Sequence, residues 1–153
     1  MVPIFSDNTK KAGILLIRYG APFEKDEEVL CEYVAAIISI ELIRQEREQM
    51  QKEALEIARA NLAVSNLSFS EQKAAGAVLQ DLEGDEGTVF LNTVANRIYA
   101  TQSTISAALK KLESAGVIST KSKGVKGKHI VIRNAHLRRA LAEADDTYGR
   151  AEG

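Results

Sequence analysis

The sequence predicts an α+β fold, mostly helical, in which a winged helix-turn-helix is joined by a long helix to a smaller α/β segment at the amino terminus. Three observations carry this. The run from Leu91 to Ile132, LNTVANRIYATQSTISAALKKLESAGVISTKSKGVKGKHIVI, reads as helix, tight turn, second helix and a two-stranded hairpin with a lysine-rich tip. Apolar positions recur at helical spacing on both sides of a charged stretch, Arg44 to Glu53, that contains nothing to break a helix. Charge is segregated as well. Asn92 to Lys128 holds seven basic residues against one acidic, about +6, and Glu24 to Glu86 holds fifteen acidic against six basic, about −9. For binding a polyanion that local basic face matters more than the net charge of −1 of the whole chain.

In chain order, Val2 to Phe5 and Gly13 to Tyr19 are short apolar runs around the polar turn Ser6 to Lys11, which predicts an antiparallel hairpin. Pro22-Phe23 breaks the chain, and Asp26-Glu27-Glu28 suits a helix start because acids oppose the positive end of the macrodipole. The helix from about Glu27 carries Leu30, Val34, Ile37 and Ile38, joined by Val29, Tyr33 and Ile40, on a face expected to be partly buried. In the exposed stretch that follows, Glu48 and Lys52 are spaced for a weak pair. Ala54, Leu55, Ile57, Ala58 and Leu62 then restore an apolar stripe, either a coiled-coil seam or the first helix of the next core.

Ser68 or Ser70 is positioned to cap the following helix, Ser68 with Glu71 completing a capping box. Ala74, Ala77, Val78 and Leu82 face a core until Gly84 to Gly87 ends the helix, and Thr88, Val89 and Phe90 can form a short strand. Asn92 or Thr93 caps a short helix with Val94, Ala95 and Ile98 inward. Thr101 caps the next, with Ile105, Ala108, Leu109 and Leu112 inward, and Gly116 stops it before Val117 and Ile118 open a strand. A last helix is expected around Leu137 to Ala144, ahead of a polar tail.

Within 153 residues a small domain plus an appendage fits better than one uniform domain. No apolar run approaches the roughly twenty residues that span a membrane, and the start MVPIFSDNTKKAG lacks the pattern of a secretory signal. The lone Cys31, beside Leu30 and Val34, reads as a small buried residue rather than a nucleophile. A cytoplasmic chain without membrane contact is expected. His129 and His136 have no cysteine or paired carboxylate at metal-ligand spacing and no glycine-rich phosphate loop follows a strand, so neither an enzyme nor a cofactor or metal site is expected. Gly124 and Gly127 are explained by a hairpin tip.

The function these features predict is duplex DNA binding. A recognition helix presents its amino-terminal and outward residues to the major groove while the wing meets backbone or minor groove. With Ile105, Leu109 and Leu112 inward, Gln102, Ser103, Ser106 and Lys110 face out. Gln102 can pair with adenine, Ser103, Thr104 and Ser106 suit bases or phosphates, and Lys110, Lys111, Lys121, Lys123, Lys126 and Lys128 suit phosphates. Helix capping is the competing role for Ser103 and above all for Thr101. The rival reading is a winged-helix protein-interaction module without sequence-specific DNA binding.

The strings SNLSFSE, LEGDEGTVFLNTVANRI, ALKKLESAGVIS and GVKGKHI, within Ala63 to Ile130, closely resemble the DNA-binding domain of CodY-type global transcription repressors of Gram-positive bacteria. VPIFSDNTKKAGILLIRYG and FEKDEEVLCEYVAAIISIELIR resemble the last third of that family's GAF-type regulatory domain. The resemblance implies a repressor with a partial GAF-like segment over 1–43, a linker helix over 44–62 and a winged helix-turn-helix over 63–153. A homodimer through the linker helix is the expected assembly. It also implies guanine-nucleotide sensing near the start of the linker, where Glu41 matches an acidic residue and Glu46 stands in place of the family's lysine. Branched-chain amino acids bind a family pocket formed mostly by residues upstream of those matched here, so no competent effector pocket is expected. Tyr99 stands where the family turn often has glycine, and Gln102 where arginine is common.

Overall fold

The computed structural model describes residues 2–6, 9–15, 20–124 and 127–149. The chain divides into two compact units, Met1–Glu53 and Ala54–Gly153.

In the first unit β1 (Val2–Ser6) pairs antiparallel with β2 (Thr9–Ile14), with an irregularity between Ile4 and Phe5. The hairpin forms as expected, but its second strand starts earlier. Thr9 and Lys10, expected in the turn, already pair with Ser6 and Phe5, and Lys11 is the extra residue at the irregularity. Residues 16–19, expected to continue that strand, lie outside the described residues. The long helix α1 (Lys25–Ser65) opens with Asp26, Glu27 and Glu28 in its first turn. Its predicted apolar face differs from expectation. Ala35 is buried and Ile38 half-buried, but Leu30 and Ile37 are 64% and 65% exposed, and Val29, Tyr33, Val34 and Ile40 are exposed too. Amphipathic spacing states what a helix is able to bury, whereas covering it takes a second surface. Cys31 is likewise half-buried rather than buried. Along the charged stretch Glu48 pairs with Arg44, not with Lys52 as its spacing suggested, because Arg44 lies one turn back and chelates Glu41 as well.

The second unit takes in the carboxy-terminal turns of α1. Its core collects Ala60, Ala63, Val64 and Leu67 with Ala74, Val78, Leu79, Val94, Ile105, Leu109, Leu112, Val117, Ile130 and Leu137. The stripe of α1 that faces this core is thus displaced from the expected one, and Leu55 and Leu62 remain 60% and 64% exposed. A helix sealed against a core on one side can still present a second apolar row seven residues apart on another.

Helix α2 (Phe69–Gln80) is capped by Ser68 rather than Ser70, with both halves of the capping box made: Glu71 N donates to Ser68 Oγ at 3.3 Å and Ser68 N to Glu71 Oε2 at 2.7 Å. Strand β3 (Glu86–Val89) begins within the residues expected to end α2, and Phe90 leaves the strand to become the amino cap of α3 (Leu91–Ile98). That cap makes no side-chain hydrogen bond, so neither Asn92 nor Thr93 has the capping role expected of it; both sit one or two residues inside the helix. Helix α4 (Gln102–Ser114) follows, capped by Thr101, whose Oγ1 accepts from Thr104 N at 3.1 Å. Gly116, at φ +73°, closes α4: Gly116 N donates to Glu113 O and Val117 N to Leu112 O, a Schellman arrangement. Strands β4 (Ile118–Ser122) and β5 (Lys128–Ile132) form the wing in a three-stranded antiparallel sheet of order β3-β5-β4. Helix α5 (Leu137–Gly149) runs longer than its apolar pattern suggested. At its approach, Asn134 is buried and its Nδ2 donates to Glu56 O at 2.8 Å, fastening α1 to this unit.

Candidate nucleic-acid interface

The two helices of the reading head meet at Tyr99. It is left-handed, with φ 54° and ψ 35°, and 99% exposed. Ala100 N and Tyr99 N both donate to Ala95 O, so the bonds of a tight turn form although the residue carries a side chain. Four buried residues of α4, Ile105, Ala108, Leu109 and Leu112, fix its rotation, which puts Gln102, Ser103, Ser106 and Lys110 in solvent on the opposite side. Thr101 and Thr104 are engaged with each other at the cap, Oγ1 to Oγ1 2.9 Å.

The predicted residues do not all converge. Gln102 from α4 and Lys128 from the wing line one open cleft of about 500 Å³, together with Asn92 and Thr93 at the start of α3 and Ser122 of β4. Lys110, Lys121 and Lys123 are exposed outside it. Lys126 lies outside the described residues. Lys111 points elsewhere: its Nζ donates to Glu71 Oε2 at 2.7 Å and lies 3.4 Å from Asn66 O, tying α4 to the cap of α2. Asn92, Thr93 and Ser122 line the cleft without having been expected as site residues. The available signal was the amino end of α3, where amides left without a side-chain cap favour anions. Arg97, counted in the basic stretch, is held by Asp81 at 2.6 Å and by Ala77 O.

The Lys111 ammonium holds the Glu71 carboxyl below the usual carboxylate value, aided by the Ser68 amide and opposed by burial. Glu41 is pulled lower, to about 2, by hydrogen bonds from Arg44 and then Gln45. Its two oxygens are thus already occupied on the surface of α1. Among the described residues no group of three or more histidine, cysteine or acidic side chains gathers to hold a metal, and no helix is long and apolar enough to cross a membrane.

Residues 85–145 match the CodY helix-turn-helix domain, and residues 1–66 match the CodY GAF-like domain. The chain belongs to the CodY family. The global transcriptional regulator CodY of Lysinibacillus sphaericus (strain C3-41) is 37% identical over 143 residues, covering 94% of this chain and 55% of that protein. CodY of Clostridium perfringens (strain SM101 / Type A) is 40% identical over 137 residues, covering 90% of this chain and 53% of that one. The chain spans about half the length of these curated CodY relatives. Among solved structures the transcriptional regulator BldR from Sulfolobus solfataricus is 23% identical and covers 84% of this chain and 82% of its own at a TM-score of 0.42. Both of these curated relatives carry the name of a global transcriptional regulator.

Proposed function

We propose that this chain binds duplex DNA as a transcription repressor, reading bases with α4 and gripping the backbone with the wing. The observation that carries it is the shared cleft: Gln102, from the helix expected to read bases, and Lys128, from the wing, line one surface with the amino end of α3. Gln102, Ser103 and Ser106 face the bases, and Lys110, Lys121, Lys123 and Lys128 take phosphates, with Lys126 extending the same charge. Thr101 and Thr104 shape the helix start, and Lys111 braces α4 instead of touching DNA.

The rest of the reading follows the family. The chain works in the cytoplasm and catalyses no reaction, with a GAF-like segment over 1–43, a linker over 44–62 and the DNA-binding domain over 63–153. Two copies associate through the exposed row of α1 that includes Leu55 and Leu62. Glu41, occupied by Arg44 and Gln45, serves helix α1 and not a guanine nucleotide.

Titrating salt against a labelled duplex tests the DNA reading, because each neutralised phosphate contributes a slope of about −0.9 in log affinity against log salt. A partner surface for proteins alone would show no such slope, and salt-independent duplex binding rejects the reading. Division of labour is tested in the same assay. Gln102→Ala costs about 1–3 kcal/mol on a preferred sequence and little on random duplex, while Lys123→Ala weakens both and lowers the slope by about one.

A further inference from the structure

Between Asn92 and Lys128 a single side chain carries negative charge, Glu113. A carboxylate on a face that meets phosphates is electrostatically unfavourable, so its presence calls for a compensating contact. Glu113 Oε1 accepts from Thr120 N at 2.7 Å, and Oε2 accepts from Thr120 Oγ1 at 3.1 Å. Thr120 is the middle residue of β4, the outer strand of the sheet. Glu113 stands in the last turn of α4, the helix that carries Gln102. The carboxylate therefore spans the turn at Gly116 and locks the wing to the recognition helix through two hydrogen bonds to one residue. Both bonds are charge-assisted, the stronger class. With Lys111 bonded to Glu71, the carboxy-terminal half of α4 is braced on two sides, towards α2 and towards the wing.

We propose that Glu113 is a positioning residue: it sets the wing relative to α4 so that Gln102 and Lys128 meet the same segment of duplex. This rests on the DNA-binding reading above. The proposal and plain electrostatics predict opposite signs. If the carboxylate acted only through its charge, Glu113→Ala would tighten duplex binding by removing a repulsion. As a positioning residue, its loss weakens binding on the order of fivefold. Glu113→Gln, whose amide oxygen still accepts from Thr120 N, binds at least as tightly as the parent chain.

The experiment is fluorescence anisotropy of a labelled duplex at one fixed salt concentration, run with 15N relaxation of the free chain. Expected are weaker binding and lowered amide order parameters at Lys121, Ser122 and Lys123 in Glu113→Ala, both restored in Glu113→Gln. Unchanged or tighter binding by Glu113→Ala, or unchanged order in the wing, overturns the proposal. Thr120→Val, which keeps the backbone N–H and loses the hydroxyl, gives a smaller loss of the same kind and replaces Glu113→Ala if that variant does not fold. If the parent chain does not bind duplex at low salt, the DNA reading fails, and the order parameters alone still decide whether Glu113 fixes the wing.

Discussion

Two side chains show how much a single position decides. Tyr99 occupies a left-handed turn that costs a residue with a Cβ roughly 1–2 kcal/mol, while glycine there would lose roughly 0.5–1 kcal/mol in backbone entropy. Tyr99→Gly should therefore stabilise the chain by about 0.5–1 kcal/mol, read as a higher urea midpoint at unchanged slope. A lower midpoint would show that the exposed ring contributes to folding after all. The Glu71–Lys111 pair carries a pH signature. Because the folded-state carboxyl titrates below its ordinary value of 4.5, the pair stabilises fully above that value and loses its contribution as pH falls through the lowered one. Lys111→Met should cost on the order of 1–2 kcal/mol near neutral pH, and its deficit relative to the parent should shrink in acid. A deficit of constant size from pH 7 down to pH 3 would assign the loss to packing. Sequence spacing placed both residues correctly in their elements, and the family resemblance marked Tyr99 as an unusual turn residue. It could not assign Lys111 to Glu71, because forty positions separate them and only the packing of α2 on α4 brings them together.

At the scale of elements, the helices with buried faces were the most legible. Ile105, Ala108, Leu109 and Leu112 recur at helical spacing because one face of α4 must meet the core, and burial follows that pattern. Strand ends and caps were less so: β3 begins at Glu86 because pairing with Val131 across the sheet decides it, a contact invisible to local composition. The tip of the wing is constrained the same way. Gly127 has φ +92°, and a Cβ there would stand 2.9 Å from Val89 O in the neighbouring strand. Gly127→Ala must push β3 and the wing apart as well as strain the turn, so it should destabilise the chain by about 2 kcal/mol or more. Thermal denaturation measures this; a melting temperature equal to that of the parent would mean the wing hinges freely at its tip.

For the molecule as a whole, the reading head was legible because its signals are local, and the amino-terminal half was less so because its apolar face on α1 meets water. Period alone could not choose between a coiled-coil seam and a core helix for residues 54–62. The structure uses Ala60 for the core and leaves Leu55 and Leu62, seven apart, exposed. If that row is the dimer contact proposed above, the double change of Leu55 and Leu62 to glutamate raises the self-dissociation constant by at least roughly tenfold, since each buried leucine contributes about 1.5–3 kcal/mol. Sedimentation equilibrium reads it, and an unchanged association constant moves the contact elsewhere.

The Glu113–Thr120 contact also bears on the edge of the sheet. The outer side of β4 is a sheet edge, and a bare edge is a template on which an identical strand from another molecule can add, the first step towards a fibre. By occupying the amide at the centre of that edge, between Ser119 and Lys121, the carboxylate makes the strand a poorer docking partner for its own kind. One side chain of α4 thus leaves the edge with one amide fewer to offer a second copy of the strand.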